Sequence, residues 1–340
     1  MYESDEYDYE QPERYVPMPE VTRTPYLTYA LLAINVVMFG LAHLAGGTED
    51  PDVLLDFGAM FGPLISQGEY WRLLTAMCLH SGFMHLGFNV FALFIFGQSV
   101  ERSYGHAPFF LIYFLAGLAG SVTSYLFNSI AIAAGASGAI FGVVGALGAF
   151  LLLQRRAFGK HAQNSLIGLA VIIGINIFIG LATPGIDNWA HGGGLVAGFI
   201  LGLALSPQYR RAGTMFGYRV FVNTSGSLIL KWWIVPVTLL ILALGVIIAD
   251  RRLPENAFTH YFRAERYYSQ GDYGRALDSL DLAIESGPIG AAQSHLLRGK
   301  IYVEAGNYQL ARQELGIAMR LGSRSIQVEA LEALRTIPNR

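Results

Sequence analysis

The stretch GASGAIFGVVGALGAFLLL, Gly135 to Leu153, is apolar, uncharged and rich in glycine and alanine. From about 138 to 153 it has the character of a short membrane span. A hydroxyl, Ser137, stands at its head. Small residues beside a serine let helices pack closely, and packing alone would account for the stretch. Alternatively, Ser137 is a nucleophile. The rest of the chain decides between the two.

Further apolar runs lie at about 26–44, 84–101, 107–127, 165–183, 188–205 and 230–249. The chain has 340 residues, 53% of them hydrophobic and only 14% charged. That balance points to a polytopic membrane protein. The expected fold class is therefore all-α: a seven-span membrane helix bundle followed by a small α-helical repeat domain. Basic residues set its orientation. With the N-terminus inside, ten lysines and arginines, from Arg14 to Lys231, fall in inside segments. Before the seventh span, Arg72 is the lone basic residue outside. Seven crossings then leave everything after Asp250 outside. A net charge of −2 gives no sign of a nucleic-acid partner. The single cysteine, Cys78, excludes an internal disulfide. Residues 1–23 read as an acidic, disordered tail rather than a signal peptide. The loop from about 45 to 83 is apolar without spanning, as befits a partly inserted interfacial loop of short helices.

Beyond Asn256 the chain repeats itself at a 35-residue offset. GDYGRALDSLDLAI from Gly271 matches GNYQLARQELGIAM from Gly306. Ala264, Ala276, Leu280 and Ala283 correspond to Gly299, Ala311, Leu315 and Ala318. Small residues at helix contacts beside aromatics resemble tetratricopeptide repeats. Two such repeats are expected, with a capping helix at about 325–335. Arrays of this kind bind proteins or peptides. The expected domains are thus a tail at 1–23, a six-span core at 24–206, a cytoplasmic linker at 207–229, a seventh span at 230–250 and the repeat domain at 255–337.

Polar residues inside spans are costly and so mark function. His80, His85 and Asn89 fall in HSGFMHLGFN, Glu101 and Arg102 in GQSVER, and His191 in DNWAH. A serine hydroxyl needs a base, and histidine is the natural one near neutral pH. Ser137 and His191 lie near the outer ends of the fourth and sixth spans, so alternating topology brings them to one depth. Gly135, Gly138, Gly194 and Gly198 would let those spans approach. His85 and Asn89, at i and i+4, share a face of the second span and can both donate to an oxyanion.

Taken in order, WRLLTAMCLHSGFMHLGFN, GQSVER, GASGAIFG and DNWAHGGGLVAG resemble the rhomboid family of intramembrane serine proteases, over about residues 24–206. The resemblance implies that Ser137 is the nucleophile and His191 the general base of a dyad without an acidic third member. His85 and Asn89, with the Ser137 amide, would form the oxyanion hole, and His80 would organise polar contacts nearby. Trp71 and Arg72 would anchor the first loop, and Glu101 and Arg102 would be structural. Phe141 stands four after the serine, where some members carry a tyrosine, and would still stack on the base. The seventh span resembles that of six-plus-one members.

No cofactor or metal is expected. A metal site from His80, His85 and His191 would fall back on Asn89 and Ser137, which are poor zinc ligands. The expected partners are transmembrane protein substrates, the lipid bilayer and a peptide or protein ligand of the repeats. The expected location is a bacterial plasma membrane, with the N-terminus cytoplasmic and the repeats extracytoplasmic. Two alternatives remain: an inactive rhomboid-like client-binding protein, and a small transporter or channel. The first would usually lack the serine or histidine, and the second would spread polar groups through the membrane depth.

Overall fold

The computed structural model describes residues 24–215, 218–223, 228–288 and 290–338. The tail expected at 1–23 lies outside them. Among the described residues, six helices are long and apolar enough to cross a membrane, and Ser137–Leu153 is a shorter apolar helix. They fall at the seven expected runs. The chain is an integral membrane protein.

The helices are α1 (Tyr26–Leu44), α2 (Pro51–Asp56), α3 (Gly62–Ile65), α4 (Arg72–Thr75), α5 (Phe83–Ala92), α6 (Gln98–Tyr104), α7 (His106–Phe127), α8 (Ser137–Leu153), α9 (Arg155–Phe158), α10 (Lys160–Ala182), α11 (Asn188–Leu205) and α12 (Ile234–Arg252). Five more follow: α13 (Ala257–Ser269), α14 (Tyr273–Glu285), α15 (Ala291–Glu304), α16 (Tyr308–Leu321) and α17 (Arg324–Arg335). α5 and α6 form one span, joined by a π-helical turn at Leu93–Gly97. The stretch expected as a linker, 207–229, is not wholly irregular. It contains an antiparallel hairpin, β1 (Tyr209–Met215) with β2 (Tyr218–Asn223), in which Tyr209 pairs with Asn223 and Met215 with Tyr218.

The chain divides into two compact units. One comprises 24–57, 76–124 and 134–244; the other comprises 58–75, 125–133 and 245–338. In the first unit, α8 is the enclosed central helix. Eleven of its seventeen residues are buried, and its neighbours contribute Leu93, Val100, Phe109, Ile112 and Ala116 to one core. A helix of this length spans only about 25 Å, against a hydrocarbon core of about 30 Å. α8 packs on α11 through facing glycines: a Cβ added at Gly194 would strike the Gly138 backbone, and one at Gly198 the Gly142 backbone. Tyr104 ties three spans together, its hydroxyl donating to Ala146 O at 2.9 Å and Gly202 O at 3.1 Å.

The start of α1 has no local side-chain cap. The fully buried Glu101 caps it from α6, accepting from Leu27 N at 3.0 Å, Thr28 N at 2.8 Å and Thr28 Oγ1 at 2.6 Å. His106 Nδ1 lies 2.6 Å from the same carboxylate. Arg102, on the exposed side, reaches Gln98 at 3.0 Å.

In the second unit, α13 with α14 and α15 with α16 form two helical hairpins, and α17 follows. The 35-residue offset survives in the backbone. Gly271 (φ +75°) and Gly306 (φ +73°) both adopt the left-handed turn that glycine permits. Each precedes an N-cap, Asp272 accepting from Arg275 N and Asn307 from Leu310 N. Ala264, Ala276, Leu280, Ala311, Leu315 and Ala318 are all fully buried. Also in this unit, Arg72 pairs with Glu69 at 2.5 Å, donates to Ala59 O at 3.1 Å and lies over the Trp71 ring at 4.6 Å. Trp71 itself packs against Gly58.

Candidate active site

Ser137 is the first residue of α8, at its N-terminus. Free amides and the helix dipole there favour developing negative charge. His191 lies in the first turn of α11, which Asp187 caps by accepting from Ala190 N at 3.0 Å. The facing glycines bring these two helix starts together, and His191 Nε2 lies 2.9 Å from Ser137 Oγ. Both residues are half-buried. The Phe141 ring stacks on the His191 imidazole, centroids 4.4 Å apart and planes at 12°. A phenyl ring one helical turn after the serine thus fixes the orientation of the imidazole.

Asp187 is not directed at His191. Its second oxygen accepts from Ser124 on α7, while His191 Nδ1 has no hydrogen-bond partner among the described residues. Ser124 escaped the sequence reading. An N-cap aspartate before NWAH is a legible signal, but nothing in the sequence pairs it with a serine 63 positions earlier.

Gly135 (φ +150°) makes the turn into α8. A Cβ there would lie 2.9 Å from His85 Cε1 and Nε2 and 3.6 Å from Ser137 Oγ. Glycine thus leaves room for the His85 ring beside the serine. The Gly135 amide donates to Ala76 O at 2.9 Å. His80 is buried, its ring edge-on to His85 with centroids 5.3 Å apart. Its Nε2 accepts from Ala136 N at 3.5 Å. Burial, with His85 beside it, pushes the His80 pKa down to about 3. A neutral ring is what this acceptor role requires. Asn89 is buried, and its amide donates to His85 O at 2.9 Å in its own helix. The structure thus gathers Ser137, His191, His85 and His80, with Gly135, Gly138, Gly194 and Gly198 as the close approaches, and Asn89 lies one turn after His85 on α5. Glu101 stands apart as the cap of the α1 end, and Arg102 lies on the exposed side of α6.

Residues 67–208 match the Rhomboid domain. The chain is similar to "Rhomboid protease GluP" of Bacillus subtilis (strain 168), 45% identical over 53% of this chain and 35% of that protein. It is also similar to "RHOMBOID-like protein 6, mitochondrial" of Arabidopsis thaliana, 41% identical over 49% of this chain and 53% of that protein. "Rhomboid-like protease 1" of Toxoplasma gondii is 34% identical over 54% of this chain and 65% of its own length. The chain therefore spans between a third and two thirds of the length of these relatives. Matched residues and relatives alike show that 67–208, two fifths of the chain, is similar to the rhomboid family.

Proposed function

We propose that the protein is an intramembrane serine endopeptidase that cleaves transmembrane segments of other proteins by a Ser137–His191 dyad. The observation that carries this reading is the 2.9 Å approach of His191 Nε2 to Ser137 Oγ at the start of a buried helix. His191 accepts the serine proton as Oγ attacks the scissile carbonyl, then returns it to the leaving amine. The Ser137 amide, His85 and a free N–H of Asn89 stabilise the oxyanion. Water, activated by the same histidine, then hydrolyses the acyl-enzyme. Helices 257–335 act as tetratricopeptide repeats that bind a protein or peptide. They lie on the outer face of a bacterial plasma membrane, the N-terminus being cytoplasmic.

The test uses purified protein in proteoliposomes with a generic single-pass substrate. Ser137→Ala and His191→Ala are each expected to abolish cleavage in folded protein, because a dyad acts as a unit. A fluorophosphonate should label the wild type and fail on His191→Ala. Cleavage by Ser137→Ala at the wild-type rate refutes the mechanism. For the repeats, protease added to spheroplasts should remove them, and protection until permeabilisation refutes the orientation.

A further inference from the structure

Phe61, in the loop before α3, is buried. Its ring meets two rings of α13 edge-on: Phe262 at 5.4 Å and Phe258 at 6.2 Å between centroids. The residues flanking Phe61 use their backbones in another direction. Met60 and Ala133 exchange two hydrogen bonds of 2.9 Å, and Gly62 N donates to Ser129 O at 2.8 Å. The end of α12 adds a second grip, where Asp250 accepts from Tyr125 at 2.5 Å. The helical C-terminal part of the chain thus holds both the first loop and segment 125–133. That segment runs on through Ala134 and Gly135 to Ser137.

We infer that α13 is a positioning element for proteolysis: Phe258 and Phe262 fix Phe61, and through the Met60–Ala133 bridge they fix the chain that delivers Ser137. This rests on the protease reading. It gives the C-terminal domain a role beyond capture of clients, because cleavage then depends on the domain even for a substrate that the domain does not bind. The physical logic is covalent. The gripped loop enters Ala76 directly after Thr75, and the gripped segment reaches Gly135 two peptide bonds after Ala133; Ala76 and Gly135 are themselves hydrogen-bonded. Slack at either end therefore loosens the backbone immediately ahead of the nucleophile.

The full-length chain is tested as Phe262→Ala and Phe262→Tyr, with two readouts. The first is amide exchange at Met60, Gly62 and Ala133. The second is kcat and KM on a generic single-pass substrate. An edge-to-face pair carries enough energy to change exchange by about 3- to 10-fold. Phe262→Ala should accelerate exchange at these three amides by that factor and lower kcat comparably, with KM unchanged. Phe262→Tyr, which keeps the ring, should restore both. Exchange at Ala276 and Leu280 reports whether the repeat core is intact, and a variant with a loosened core is replaced by Phe258→Ala. Unchanged exchange in Phe262→Ala overturns the inference, as does faster exchange with wild-type kcat. If the wild type cleaves no better than Ser137→Ala, the protease reading fails, and the exchange experiment still decides whether α13 holds the loop.

Discussion

Placing a methyl group at Gly194 tests the architecture at the helix contact nearest the Ser137–His191 pair. Gly194 lies three residues after His191 and faces Gly138, the neighbour of Ser137. An added Cβ would lie 2.8 Å from the Gly138 carbonyl carbon, where 3.4 Å begins ordinary contact. The shortfall at this carbon, the difference between 3.4 and 2.8 Å, is about 0.6 Å, and the carbonyl oxygen, closer still, demands more than that. Both contacts are backbone, so no side chain can swing away and the helices themselves must part. Parting by at least that amount carries the Ser137–His191 pair from 2.9 Å to about 3.5 Å or more, at or beyond the limit for a hydrogen bond. Overpacking of this kind costs about 1–3 kcal/mol. A misplacement approaching 1 Å at a reacting centre costs on the order of 10²-fold in rate. Gly194→Ala should therefore melt earlier and cleave a generic substrate roughly 10- to 100-fold more slowly. The control is Gly148→Ala on α8, where a Cβ meets nothing within 4 Å. There, helix propensity makes the change neutral or stabilising by up to about 1 kcal/mol. Equal melting points and equal rates for the two variants would refute the close-packing account.

Other expectations follow from single side chains. Asn89→Ala should lower kcat by on the order of 10²-fold without abolishing cleavage, since other oxyanion donors remain; a loss as complete as that of Ser137→Ala would assign Asn89 elsewhere. Tyr104→Phe should cost about 1 kcal/mol of stability through its lost hydrogen bonds, and an unchanged melting point argues against that three-span tie. In the repeat region, Glu314 accepts from His295 at 2.7 Å and Arg298 at 2.9 Å. Burial alone would raise its carboxyl pKa, but these hydrogen bonds outweigh burial and hold it below the ordinary value. Its stabilising contribution is thus complete above the unfolded value of about 4.3 and is lost as pH falls through the folded one. Melting between neutral pH and pH 3 should show that loss, and Glu314→Gln should flatten it; an identical acid slope in the variant would falsify the assignment.

How much of this was legible in the sequence depends on the reach of each signal. The seven apolar helices were readable because a span is a matter of composition over its own length. Ser137 and His191 were readable because alternating topology converts sequence order into depth. The π-turn at Leu93–Gly97 was not, since LFIFG contains nothing that demands an i+5 bond. Nor was the hairpin: its register shifts between Arg211 and Gly213, and a bulge breaks the period of two by which a strand is recognised. The partner of Asn89 was missed for a different reason. Its position on one face of α5 was clear, but a side chain that bonds the carbonyl four residues back leaves no mark in spacing. The grouping of 58–75 with 245–338 depends on aromatic contacts across nearly two hundred residues, which no local pattern encodes.

The remote cap on α1 also has a consequence in time. Leu27 and Thr28 are synthesised 74 and 73 residues before the carboxylate that accepts from them. At a synthesis rate of about 5–20 residues per second, that gap lasts roughly 4 to 15 s. During this interval the first helix exists with its leading amides unanswered by the group that will finally hold them. Its final seating must therefore await the second span, so that the first hairpin, rather than the first helix, is the smallest piece of this bundle that the ribosome can deliver complete. Arrested chains should show it: the Thr28 region should be protected from modification when synthesis stops beyond Glu101, and open when it stops short.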